Sequence, residues 1–257
     1  MIKQPALFSA ALALYLLLGA AAGPVDGADN QRYTVRKTTE SILVDGRLDE
    51  QVWAKAQTVS LSLKNGDEPT QPTTVRALWD NYYLYISWDC VDSHIWSTMT
   101  ERDLPLYNEE VVEVFIDADG NGSDYVELEI NPLGTLWDGF ILNHGFDDNG
   151  RVKLTGILAW NSLDIRWAAW PRGTVNDSTD TDQGWSAEMA VPLTDFVTAE
   201  NIPPRDGDKW RVNFFRIDLP HGKGAGGEGQ SWCPVGPGTF HKPDKFGTMI
   251  FSTELIP

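Results

Sequence analysis

The stretch PLYNEEVVEVFIDADGNGSDYVELEINPLG, Pro105 to Gly134, concentrates the residues of this chain best suited to chemistry. Side chains alternate across an extended backbone. Val112, Val114 and Ile116 therefore share one side of the first run, and Glu113, Phe115 and Asp117 the other. The returning run repeats the pattern, with Val126, Leu128 and Ile130 on one face and Tyr125, Glu127, Glu129 and Asn131 opposite. If the runs pair as a hairpin, Glu113, Glu127 and Glu129 become neighbours on one surface, where like charges repel unless something compensates. The plainest reading is a solvated outer face.

Paired carboxylates can also cleave glycosidic bonds, one acid protonating the leaving oxygen while the other attacks or activates water. That chemistry asks for a cleft and for apolar surroundings that raise a pKa, and the run itself supplies neither. The turn DADGNG sets Asp117, Asp119 and Asn121 in alternation before Gly122, and such hard oxygen donors suit calcium. Leu128 stands where a bidentate Glu would close a helix-loop-helix site, so at best this is a calcium-binding hairpin, and a plain Asp-Gly or Asn-Gly turn explains the glycines equally. The four histidines show no metal spacing to one another, and the sequence has no Gly-x-Ser-x-Gly. Aromatic residues add a different chemistry. Tyr107, just before the acidic strand, and Phe240, in GTFHKP, stand beside Pro and Gly where a flat ring can face solvent. Rings stack on the C–H faces of sugars while carboxylates and amides bond to the hydroxyls. Tyr107 and Phe240 with Glu113, Glu129 and Asn131 are a sugar-site composition.

Strands must position these residues. Short β-rich runs, among them TVRALWD, YYLYISWDC, VVEVFID, YVELEIN, WSAEMAV and WRVNFFRID, are separated by Gly, Asn, Asp and Pro clusters. Only DEQVWAKAQ and PLTDFVTAEN read as helical, and both are short. This predicts an all-β protein, an antiparallel β-sandwich forming one domain over 39–257 after a polar leader at 23–38. Lys3 followed by ALFSAALALYLLLGAAAG reads as a secretory signal peptide at 1–22, so an extracellular or periplasmic protein is expected. The formal net charge of −17 repels phosphate backbones and anionic surfaces. Nucleic acid and anionic membrane surfaces are thereby disfavoured, and no later segment is apolar enough for membrane insertion, while neutral polyols, cations or a divalent metal stay open. Cys90 and Cys233 are compatible with one disulfide, or with Cys90 as a small buried strand residue. Glu188 in SAEMAV and Arg216 in FFRID alternate with apolar neighbours and read as an internal ion pair.

The motifs ILVDGRLDEQVWAKA, VRALWDNYYLYISWDCVD, NEEVVEVFIDADGNGSDYVELEINPLG, GWSAEMAVPL, WRVNFFRID, SWCPV and FHKPDKFGTMIF together resemble the family 9 carbohydrate-binding module, in order from about Ile42 to Phe251. More closely, the chain is similar to stand-alone secreted proteins of that family. The resemblance implies a β-sandwich with jelly-roll character that binds sugar and structural calcium. It places the family's two stacking rings on Tyr107 and Phe240 and a sugar-contacting glutamate on Glu113, while an arginine of the family's site falls on Glu129. The expectation is a secreted, monomeric, non-catalytic protein that binds poly- or oligosaccharide during polysaccharide breakdown. Two other classes stay open: a glycoside hydrolase or an auxiliary component of one, and an interaction module that has lost sugar binding.

Overall fold

The computed structural model describes residues 31–157, 159–219, 221 and 226–256, so the expected signal peptide lies outside the described residues. Alternating apolar residues form strands β1 (Arg32–Lys37), β2 (Thr58–Ser60), β3 (Ser62–Leu63), β4 (Thr73–Trp79), β5 (Tyr83–Cys90), β6 (Val111–Asp117) and β7 (Asp124–Ile130). They continue as β8 (Leu136–Phe146), β9 (Val152–Ile157), β10 (Arg166–Pro171), β11 (Trp185–Pro192), β12 (Lys209–Asp218), β13 (Glu228–Ser231) and β14 (Gly247–Leu255). Their hydrogen-bonded order is β10-β11-β5-β4-β1-β14-β12-β6-β7-β8-β9.

The inner faces of β4, β5 and β11 pack against those of β6, β7, β12 and β14 around one core. Val75, Ile86, Trp88 and Met189 come from one side, and Val114, Leu128, Phe214 and Phe251 from the other. This is the expected all-β sandwich, and its pairs are antiparallel except at β1, which runs parallel to both β4 and β14. Strand β1 joins the two halves. Residues 32–37 of the stretch expected to be a polar leader therefore belong to the fold: Tyr33 and Val35 are fully buried. Alternation of Tyr33 and Val35 with polar residues suffices for a strand buried on one face.

Of the two helical expectations, DEQVWAKAQ yields a short helix, α1 (Gln51–Lys55), and PLTDFVTAEN yields only a 3-10 turn at Leu193–Asp195. Neither reaches the length at which helix propensity could win against the surrounding sheet. Cys90 and Cys233 are free buried thiols rather than a disulfide, and burial pushes both up to about 12. Glu188 and Arg216 are not paired with each other. The Glu188 carboxylate accepts from the backbone N–H of Gly46 at 2.9 Å and from Trp53 Nε1 at 2.8 Å, whereas Arg216 donates to Asp92 at 2.8 Å and Asp218 at 3.2 Å. The two sit on different sides of the sandwich, which the alternation within single strands could not reveal. No helix among the described residues is long and apolar enough to cross a membrane.

Candidate functional site

The hairpin of β6 and β7 pairs Glu113 with Glu129 and Phe115 with Glu127. On one flank β12 sets Phe215 opposite Glu113, and on the other β8 sets Trp137 opposite Glu129 and Gly139 opposite Glu127. One surface of four strands thus carries the three glutamates among rings. It is not a solvated face. Leu106, Phe115, Tyr125, Trp137, Phe215 and Phe246 form a second apolar cluster across it, and Glu113, Glu127 and Glu129 are 2%, 4% and 0% exposed. The covering residues come from the turn before β6 and the segment between β13 and β14. Neither is visible from the period of the hairpin alone.

A cleft of about 560 Å³ opens over this surface, with Tyr107, Glu113, Phe115, Glu127, Trp137 and Phe240 among its lining. Tyr107 sits on a 3-10 turn, Leu106–Asn108, whose Leu106 is buried while the Tyr107 ring is half exposed. The following Glu109 fixes that turn to the neighbouring segment by accepting from Thr98 N–H at 2.7 Å and Thr98 Oγ1 at 2.5 Å. Phe240 stacks on Phe215 with ring centres 4.3 Å apart. Its loop is tied down by Lys242, which donates to the carbonyls of Val235 and Pro237 at 2.9 and 2.7 Å, and by Lys64, which donates to Gly238 O at 2.8 Å. Gly139 is required opposite Glu127: a Cβ there would lie 2.8 Å from the Trp137 ring.

The electrostatics of the cleft floor are dominated by missing partners. One carboxylate oxygen from each of Glu113, Glu127 and Glu129 lies within 4.8 Å of the others. Glu113 Oε1 and Glu127 Oε2 accept no hydrogen bond, while Glu129 lies against the Glu127 carboxyl and the Tyr107 backbone N–H without a well-formed bond. Burial, reinforced by neighbouring carboxylates, holds Glu113 and Glu129 well above the usual range, and burial pushes Glu127 up to about 8. His241 Nδ1 is 3.9 Å from Glu127, but burial lowers this imidazole to about 4. At neutral pH it is an uncharged partner of Tyr125 Oη, 2.7 Å away.

Tyr107, Glu113 and Phe240 line the cleft, whereas Glu129 is not part of its lining and lies fully buried beside Glu113 on the paired strand. Asn131 stands apart. Its Nδ2 donates to Ser97 Oγ and Met99 O at 2.9 and 2.8 Å, and its Oδ1 accepts from Leu133 and Thr135 at 3.1 and 2.8 Å. All its capacity is spent fastening the turn between β7 and β8. The calcium expectation at Asp117, Asp119 and Asn121 meets a similar geometry. Asp117 accepts from the N–H groups of Gly120 and Gly122 at 2.8 and 2.9 Å, and Asn121 Oδ1 accepts from Ser123 N–H at 2.5 Å. Donors already committed to turn N–H groups do not fit a cation that wants six to eight oxygens. A second buried acidic group, Asp92, Glu110 and Asp218, surrounds Arg216 and is compensated by it.

Trp137, Glu127, Phe115 and His241 also line the cleft. The alternation that exposed Glu113 also placed Glu127 and Phe115 on this face. Trp137 carried the signal of a large ring two residues before Gly139, but only the β7–β8 register sets it beside the glutamates.

The family model described as carbohydrate family 9 binding domain-like matches residues 44–254. The chain belongs to this family. Strand β1 lies before the matched stretch. An "Extracellular protein" of Arthroderma benhamiae is 24% identical over 164 residues, 58% of this chain and 64% of that protein. "Endo-1,4-beta-xylanase A" of Thermoanaerobacterium saccharolyticum is 28% identical over 220 residues, 82% of this chain and 15% of that enzyme. This family 9 chain thus spans under two thirds of either relative. Among solved structures, a family 9 carbohydrate-binding module from Caldicellulosiruptor kristjanssonii in complex with cellotriose superposes with a TM-score of 0.59 at 13% identity, covering 87% of this chain and 95% of that one. That likeness establishes the shared fold.

Proposed function

We propose that this chain is a secreted, non-catalytic carbohydrate-binding protein, and that saccharide enters the cleft over Glu113 and Glu127. The carrying observation is a half-exposed Tyr107 ring and a Phe240 ring lining one cleft whose floor is carboxylate. A sugar presents C–H faces to rings and hydroxyls to acids, and the cleft offers both. Secretion is supported by the extracellular description of the fungal relative, and a place in polysaccharide breakdown by the xylanase. Binding without turnover is supported by the acids themselves. Burial and mutual proximity favour uncharged Glu113 and Glu129, whereas glycoside hydrolysis needs one ionised carboxylate beside one protonated acid.

Calorimetric titration with cello-, xylo- and amino-oligosaccharides tests the proposal, with reducing-end release measured in the same mixtures. Saturable heat without product is expected. In Tyr107→Ala/Phe240→Ala the loss of two stacking rings should weaken saccharide binding by at least about fivefold, each ring contact being worth roughly 0.5–1.5 kcal/mol beyond area. Undiminished affinity in that variant would place the saccharide elsewhere, and product release would make the cleft catalytic.

A further inference from the structure

We infer that the cleft selects a saccharide carrying a protonated amino group, an amino sugar, with its ammonium seated among Glu113, Glu127 and Glu129. This rests on the saccharide reading above and names the sugar class. Three buried carboxyl groups converge within 4.8 Å, and Glu113 Oε1 and Glu127 Oε2, from residues only 2% and 4% exposed that line the cleft, have no hydrogen-bond partner. Buried acceptors without donors are costly, and acids held protonated in the free protein release a proton when an ammonium sits beside them, so the arrangement suits a cationic donor from outside the chain. The described residues supply no compensating cation. His241 is neutral, Lys64 directs its ammonium to Gly238 O at the cleft margin, and no lysine or arginine contributes to the electrostatics of the three acids.

The geometry discriminates between cations. An ammonium has three N–H donors and no acceptor. Three oxygens each ~2.8 Å from one nitrogen and tetrahedrally spread stand roughly 4.6 Å apart, inside the 4.8 Å limit that bounds the cluster. Calcium wants six to eight oxygens. Around the triad stand Phe115, Trp137 and Phe215, and the strand carbonyls beneath are engaged in the ladders. Rings that cannot complete a metal shell do attract an ammonium through their faces. Three acids under aromatic walls therefore fit an amine on a sugar body better than a bare metal ion. Lys64 and Glu228 are the other charged groups of the cleft, and Glu228 is held by Thr70 Oγ1 at 2.8 Å.

Three β-1,4-linked trisaccharides that differ only at C2 test the inference: cellotriose, its 2-amino counterpart and the N-acetylated form of the latter. Each is titrated calorimetrically at about pH 6, where an amine is charged. The amino trisaccharide should bind at least about tenfold more tightly than cellotriose, with the advantage lost on N-acetylation, and Glu129→Gln should reduce the preference below about threefold. If Glu129→Gln does not fold, Glu113→Gln carries the same expectation, and the wild-type ratio decides independently of either variant. Equal affinity for cellotriose and the amino trisaccharide would overturn the inference and leave the saccharide reading standing. Silence with all three and with xylo-oligosaccharides would overturn both. Saturable calcium binding to chelated protein that is lost in Glu129→Gln would make the triad a metal site and overturn the amine assignment.

Discussion

Glu127 couples the cleft floor to pH. Its carboxyl is raised by burial from 4.5 to about 8, so between those values the folded protein holds a proton that the unfolded chain has released. Such a group stabilises the fold most below the unfolded value, and the benefit is lost as pH rises through the folded one. Asp117 and Glu188, both pushed up to about 7 by burial, act in the same sense. The melting temperature of ligand-free protein should therefore fall between about pH 5 and pH 8, and Glu127→Gln should flatten that fall. A melting temperature that rises over the interval would contradict the assignment. Arg216 sets the opposite case. It is fully buried between Asp92 and Asp218, and Arg216→Ala should cost about 3–5 kcal/mol in urea unfolding because the buried acids lose this cation partner.

At the scale of elements, β1 carries more than its sequence advertises. It is the parallel joint between β4 and β14, and Tyr33 Oη accepts from Ala77 N–H at 2.6 Å while donating to Gln57 O at 2.6 Å. A chain beginning at residue 39 should fail to give a cooperative thermal transition, whereas one beginning at residue 31, which keeps β1, should give one. Tyr33→Phe should cost about 1–3 kcal/mol, since it strands the buried Ala77 donor. Equal stability of both truncations would show that the two halves close without the joint. The hairpin β6–β7 was legible residue by residue, because a period of two fixes which side chains share a face.

For the whole molecule, two sandwich halves meet in one core in which Cys90 and Cys233 are separate buried thiols. Reductant should change neither intact mass nor melting temperature, and thiol reagents should label both residues only on unfolding. Labelling of native protein at the rate of a free thiol would contradict that burial. What the sequence by itself determined is the strand content, the family and the convergence of Glu113, Glu127 and Glu129, since alternation and hairpin pairing are local. What only the tertiary structure decided is the environment of that face. Whether carboxylates meet water or rings depends on Trp137 arriving from β8 and on Phe240 and Phe246 arriving from a segment more than a hundred residues away. Burial is a property of what packs on a surface, and it turned an ordinary acidic strand into a floor of uncompensated acids.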